Sequence, residues 1–276
     1  MLFLTKPNRS FSHSEWHCLA DIDKATLLQW QKSCPPLTRN PIPERCDPAR
    51  LSKRQTLCSA LIKAFTGEIE SLTVLPSLPI IAGLTDPDGW LLAIGCSNDL
   101  MLQLESMNIG VGTSLALPYL GMNAVALVMM THKPAVVHGD EHQFVSFKGF
   151  TSVGTPIQVE NATKGFLCMF YPCGHDYMFA MLLMNSMAGS IARKLDNELA
   201  KIQKERIFNL FRSHRLSPRE CEIGYYWLQN QSALFISATL GITEGTVRNV
   251  VKSIYRKTHV RDKAQFISKI LIDYIS

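Results

Sequence analysis

The chain has 276 residues, 46% of them apolar and 18% charged, with a net charge of +5. That length suits two domains of ~100–200 residues, and that apolar fraction allows a packed core and excludes a globally disordered chain. Sixteen Gly and 14 Pro exclude collagen-like and low-complexity classes. No apolar run reaches the ~18 residues of a membrane helix, and the apolar start of MLFLTKPNRS is too short for a signal peptide, so a cytoplasmic location without membrane association is expected.

Residues 1–55 hold two helix-like runs, Glu15–Ser33 and a weaker one from Pro48, separated by a proline-rich stretch that denies regular structure. Apolar runs at Leu78–Leu84 and Trp90–Ile94 flank Thr85-Asp86-Pro87-Asp88-Gly89, a turn with Pro inside and Gly at its end, which predicts a hairpin. Asp99–Met107 is polar enough for a surface helix, Gly121–Thr131 is an apolar helix, and Ala135–His138 follows Pro134 as a short strand. Ser152–Val159 and Gly165–Tyr171 read as strands around a five-residue turn at 160–164. Strands joined by hairpins and interleaved with helices give an α+β class with an antiparallel sheet. Eight cysteines without a CxxC pair, in a chain without an export signal, read as reduced thiols, and zinc-ligand spacing is missing.

From Asp176 to Phe211 apolar or small residues recur at 181, 184, 188, 191/192, 195, 199 and 202, which predicts one long amphipathic helix. Such a seam suits pairing with a second copy; the alternative is packing on its own domain. From Arg206 onward there are eleven Lys and Arg against five acids, whereas residues 1–205 carry a net −1. A basic module for a polyanion and a solvated basic face both follow from that asymmetry.

Four short helices can be placed in the basic quarter by their caps. Ser217-Pro218-Arg219-Glu220 is a capping box with Pro at the first helical position, opening a helix to about Gln229. Ser232 caps a second helix through Leu240, ended by Gly241; Thr243 caps a third to about His259; Asp262 caps a fourth through Tyr274. A short helix, a turn with Gly and a longer helix form a helix-turn-helix. On the third helix Val247, Val250, Val251, Ile254 and Thr258 share one stripe. Gly245, Arg248, Asn249, Lys252 and Arg256 share the opposite face, which carries cations and an amide but no acid. Such a face suits a groove lined by phosphates, where Arg reads guanine edges and Asn adenine edges. Glu244 sits near the helix start, where the dipole tolerates it, and would repel phosphate unless it met a cytosine amine.

Leu216-Ser217-Pro218-Arg219-Glu220, then Ile236, Leu240, Gly241-Ile242-Thr243, Thr246-Val247-Arg248-Asn249, Ile254-Tyr255-Arg256-Lys257 and Val260-Arg261-Asp262-Lys263-Ala264 resemble the LuxR-type helix-turn-helix of bacterial transcription regulators. The resemblance covers residues 213–276 and implies that the third helix enters the major groove while the fourth supports dimerisation. It implies DNA contacts from Thr246, Arg248, Asn249, Lys252 and Lys257, to which the outward face adds Arg256. Departures are Ser237 where Ala is usual, Thr258 where Leu is usual, and Asn230 near a usual Gly.

Upstream, Thr85-Asp86-Pro87-Asp88-Gly89, Gly110, Gly112, Gly121-Met122-Asn123-Ala124, Gly139-Asp140-Glu141-His142 and Thr155-Pro156-Ile157 resemble the GAF-type sensory domain of acetoin-catabolism activators. Trp30-Gln31-Lys32-Ser33-Cys34 resembles the stretch that precedes that domain. Met122 replaces a usual Thr. The resemblance implies an antiparallel sheet flanked by helices around a small-molecule pocket, with Asn123, His138, Glu141, His142, Phe144, Phe147, Cys168 and Phe170 as lining candidates. Activators of that class continue into an ATPase domain, but this sequence has no GxxxxGK[ST] loop, so its output rests on the helix-turn-helix.

The expected organisation is a helical segment over 1–55, a GAF-like domain over 56–175, a connecting and dimerisation helix over 176–212 and the four-helix reader over 213–276. The expected function is ligand-responsive transcription regulation, as a homodimer on an inverted-repeat operator in double-stranded DNA, with a small-molecule effector and RNA polymerase as further partners. No cofactor and no metal are expected. An alternative is an interaction module that antagonises a partner regulator by dimerisation without reading DNA. Catalysis is not expected: Cys34 and Cys173-Gly174-His175 supply thiols, but no third group orients a base.

Overall fold

The computed structural model describes residues 16–32, 43–72, 79–174 and 177–275. Contacts divide the chain into two units, residues 1–196 and 197–276.

In the first unit the order is β1 (His17–Cys18), α1 (Lys24–Lys32), α2 (Pro48–Leu57), α3 (Ser59–Ser71), β2 (Ile81–Thr85), β3 (Leu91–Gly95), α4 (Asn98–Ser106), α5 (Leu117–Leu120), α6 (Ala124–Thr131), β4 (Ala135–His138), β5 (Phe150–Val159), β6 (Ala162–Pro172) and the start of α7 (Tyr177–Ser213). Among the described residues the strands form one sheet in the order β1-β4-β5-β6-β2-β3. Every pairing is antiparallel except that of β1 with β4. The class is therefore α+β, as hairpin-linked strands imply.

Two expectations change. Glu15–Ser33 is not one helix: His17–Cys18 pairs with Ala135–Val136, a short 3-10 turn follows, and the helix begins only at Lys24. Asp23 explains that start, since its carboxylate accepts from the Thr26 backbone and hydroxyl at 2.9 and 2.6 Å. The five-residue turn at 160–164 shrinks to two, because Glu160 and Asn161 both adopt positive φ, at 50° and 61°. That is the conformation whose twist matches paired strands, so β6 starts at Ala162. The hairpin at 85–89 forms as its residues dictate. The Asp86 carboxylate accepts from the Asp88 and Trp90 amides at 3.0 and 2.9 Å, while Gly89 takes φ +84°. Ser33, Cys34, Leu78, His175 and most of the proline-rich stretch lie outside the described residues.

One layer of the core comprises α5, α6 and the aromatic side chains of β6 and the loop before β5. Leu120, Ala124, Val125, Leu127 and Val128 are fully buried there, joined by Phe144, Phe147 and Phe170. The first turns of α7 pack on this unit through Ala180, Met184, Met187, Ala188, Ile191 and Leu195. Ser190 and Lys194 both donate to Glu68 of α3 at 2.6 Å. The apolar seam expected to meet a second copy is thus largely consumed by its own domain at 184, 188, 191 and 195. Of that seam, Ile202 stays exposed.

The second unit holds the remainder of α7, then α8 (Pro218–Leu228), α9 (Ala233–Leu240), α10 (Glu244–Thr258) and α11 (Lys263–Ile275). Phe211 at the end of α7, Ile223, Ile236, Val247, Ile254 and Phe266 are fully buried together. Phe211 stacks 6.0 Å from Phe266, tying the first helix of the unit to the last. Truncating Phe211 to Ala removes that centre and should lower the stability of this unit by ~3–5 kcal/mol, read as a lower urea midpoint.

Candidate nucleic-acid interface and sensory cavity

The helix-turn-helix is assembled around one carboxylate. Ser217 Oγ accepts from the Glu220 amide at 3.3 Å, and Glu220 Oε2 accepts from the Ser217 amide at 2.7 Å, closing the capping box of α8. The same carboxylate accepts from Ser253 Oγ at 2.7 Å and from Lys257 Nζ at 2.6 Å, both on α10. Burial alone would raise its pKa; Lys257, the Ser217 amide and Ser253 outweigh that and hold it at about 2. Lys257 also donates to the Arg215 carbonyl at 3.0 Å. The resemblance puts Lys257 among the DNA contacts; here its side chain is half-buried and its ammonium engages Glu220 and the Arg215 carbonyl.

Helix α10 starts at Thr243, whose hydroxyl accepts from the Thr246 amide at 3.1 Å, and stops at His259, which takes φ +56°. Val247, Val251, Ile254 and Thr258 are buried and Val250 half-buried, so the apolar stripe faces inward. Thr246, Arg248, Asn249, Lys252 and Arg256 are exposed. Thr246 shares a hydrogen bond with Thr243 at 2.8 Å, and Arg256 donates to Ser253 at 3.3 Å. Arg248 pairs with Glu244 one turn back, so the acid neutralises a cation rather than facing outward alone. Among the described residues, no side-chain partner engages Asn249 or Lys252.

The departures from the family pattern are absorbed locally. The Thr258 hydroxyl donates to the Ile254 carbonyl at 2.9 Å and that of Ser237 to Leu234 at 2.8 Å, so neither buried hydroxyl goes unsatisfied. Asn230 takes φ +61°, the left-handed geometry that Gly would otherwise supply. The turn after α9 keeps Gly241, at φ +64°. Lys263 lies 4.1 Å over the Trp227 ring and donates to the Gln231 carbonyl at 2.8 Å, docking α11 on α8.

In the first unit the expected pocket residues separate. Asn123 is fully buried and saturated. Its carbonyl oxygen accepts from the amides of Val125 and Ala126 at 3.0 and 3.2 Å, and its amide donates to Leu115 and Gly121 at 2.7 and 2.9 Å. It is the N-cap of α6 and has nothing left for a ligand. His142, 1% exposed, bonds the Gly139 carbonyl at 3.0 Å and Ser152 Oγ at 2.8 Å. Burial, with a smaller push from His138, lowers its pKa to about 4 against the bond to Gly139. His138 and Glu141 are exposed at the sheet end, where Glu141 accepts from the His138 amide at 2.8 Å.

The aromatic candidates and Cys168 do gather. Phe147 lies 4.7 Å from Phe170 and 5.1 Å from Phe144, edge to face in the latter case. Phe147, Cys168 and Phe170 line a cavity of about 20 Å³ with Ile81, Gly83, Leu91, Ile94, Leu104, Ile109 and Leu115. Burial pushes the Cys168 thiol up to about 12, so it stays protonated. The residues beneath α4 were missed in the sequence; the signal was there in Leu100, Met101 and Leu104, which give that helix an apolar face. Cys173 lies 3.7 Å from the Thr151 hydroxyl, but His175 lies outside the described residues. Among the described residues, no three His, Cys, Asp or Glu side chains gather as a metal site requires, and no helix is long and apolar enough to cross a membrane.

Residues 214–270 match the family model described as bacterial regulatory proteins, luxR family. Similar solved structures include the Escherichia coli DhaR(N)–DhaL complex, at 14% identity and a TM-score of 0.61, over 68% of this chain and 65% of that one. The chain therefore spans just under two thirds of that relative, with which it shares a fold. The VqmA dimer of Vibrio cholerae matches at 15% identity and a TM-score of 0.24, over 74% of this chain and 87% of that one. Escherichia coli SdiA matches at 14% identity and a TM-score of 0.27, over 79% and 95%. No curated protein sequence matches the chain.

Two outcomes test these assignments. Lys257→Met leaves the Glu220 carboxylate buried without its cation, so the second unit should lose about 2–4 kcal/mol in urea unfolding, while the salt dependence of DNA binding stays near that of the wild type. His142 has a folded pKa below its ordinary 6.5, so its contribution is complete above pH 6.5 and lost as the pH falls toward 4. Between pH 7 and 5 the first unit should lose about 2 kcal/mol through this ring, and His142→Gln should abolish that part of the slope.

Proposed function

We propose, from a C-terminal unit that is a LuxR-type helix-turn-helix, that this protein is a cytoplasmic transcription regulator. It binds operator DNA through α10 and changes that binding when its N-terminal unit takes up a small molecule. The carrying observation is the division of α10: a buried valine and isoleucine stripe on one side, and Arg248, Asn249, Lys252 and Arg256 exposed on the other. A rod of that kind places donors at base edges and cations at phosphates.

The site residues divide by task. Asn249 reads a base edge. Arg248 reads another, after exchanging Glu244 for a guanine or sharing it with a cytosine amine. Lys252, Arg256 and Thr246 hold phosphates. Lys257 acts indirectly, by fixing α10 on α8 through Glu220. The protein works as a homodimer on an inverted repeat, and the support within the second unit is α11, which leaves Leu271, Ile272 and Ile275 exposed. A first unit that shares its fold with DhaR(N) supports the sensory role. RNA polymerase is the partner through which a bound regulator would act.

Gel shift on the DNA upstream of the protein's own gene tests this reading. Asn249→Ala should cost ~1–3 kcal/mol and relax sequence preference at one position. Lys252→Ala should weaken binding to all sequences and reduce the salt slope by about 1. Unchanged binding in both variants would remove α10 from the groove. Full-length protein that never shifts DNA but dissociates a partner regulator would favour the interaction-module alternative.

A further inference from the structure

Between α4 and the sheet lie two neighbouring cavities of about 20 and 10 Å³. Both are walled by Ile81, Leu104, Phe147 and Phe170; the larger is lined by apolar side chains, Gly83 and the Cys168 thiol, and the smaller also touches Gln103, which is exposed on α4. The buried polar groups that could have anchored a ligand nearby are already committed. Asn123 uses both its oxygen and its amide on backbone. His142 uses both ring nitrogens, and its partner Ser152 also accepts from the Ala124 amide at 3.1 Å. The Cys168 thiol is buried and protonated. A charge or strong hydrogen-bonding group placed deep in this space would lose water and gain no buried partner.

The covering element is loosely held. Of the nine residues of α4, Leu104 alone is buried, Leu100 and Met101 are half-buried, and Leu102 on the outer side is 65% exposed. Ser97, at the N-cap, makes no side-chain cap bond. The opposite wall is kept open by Gly83, where a Cβ would come within 2.7 Å of Cys168 Sγ. Each space as it stands has room for a water-sized body, whereas an apolar cavity of ~150 Å³ takes benzene. Occupation therefore requires Leu104 and α4 to move outward, which makes two states with different ligand affinity.

We propose that the effector of the N-terminal unit is a small, uncharged, hydrocarbon-rich molecule bound between α4 and the sheet, and that it enters by displacing Leu104 with α4. This rests on the reading of that unit as the sensor and adds the chemical class of what it senses.

The test uses the full-length chain with toluene as the apolar probe and benzoate as its charged counterpart. Toluene should raise the thermal midpoint by about 5 °C or more at saturation, and benzoate should leave it unchanged. Gly83→Ala, which pushes the Cys168 thiol into the space, should weaken the apparent toluene affinity at least tenfold. Leu104→Ala should tighten it; this variant and Leu104→Phe, a second filling change, keep the test open if Gly83→Ala does not fold. No rise with toluene, an equal rise with benzoate, or a toluene response indifferent to all three variants overturns the proposal. A polar metabolite that shifts the midpoint where toluene does not overturns the ligand class while leaving the sensor reading intact. Toluene binding that obeys the variants but leaves DNA affinity unchanged overturns the sensor reading and with it the effector role.

Discussion

A helix with one apolar stripe has a single way to sit on a small core, and α10 shows how much follows from that. Burying Val247, Val251, Ile254 and Thr258 against α8 and α9 turns Arg248, Asn249, Lys252 and Arg256 outward without any further instruction. The hydrophobic term fixes rotation about the helix axis, while the Glu220 carboxylate fixes position along it. One acid caps α8, receives Ser253 and Lys257 from α10, and so joins the two helices of the reader. Its depressed pKa expresses the same fact, since the charged form is the one the fold is built around.

In the N-terminal unit the buried polar groups Asn123 and His142 are hydrogen-bonded within the fold. Asn123 starts α6 and stitches it to the Leu115 and Gly121 carbonyls; His142 links the turn after β4 to β5 through Ser152. Buried polar atoms must be satisfied, and once they are satisfied internally they have little to offer a guest. What remains unfilled is apolar space under α4, bordered by Phe147, Cys168 and Phe170. The apolar cavity thus begins where the polar network stops.

Helix α7 shows a limit of pattern. Its recurrence of apolar residues suits a dimer seam and a domain-packing face equally, because both bury a stripe with the same spacing. In this chain the stripe meets its own unit through Met184, Ala188, Ile191 and Leu195, with Glu68 binding Ser190 and Lys194 beside it. Apolar exposure that could serve a second copy is found elsewhere on α7, at Phe179, Leu182 and Ile202, and at the end of α11.

The amino-acid sequence alone determined the features that are local in origin. The four reader helices could be placed by Ser217, Ser232, Thr243 and Asp262, because a cap acts within three or four residues of itself. The hairpin at Asp86–Gly89 and the inward stripe of α10 were legible for the same reason. Tertiary structure decided the rest: that His17–Cys18 joins the sheet, that Lys257 answers a carboxylate 37 positions away, that Asn123 and His142 find hydrogen-bond partners within the fold, and that Leu104 closes a cavity. Those outcomes depend on which distant group arrives to satisfy or cover a side chain. Short-range periodicity carries no information about that arrival.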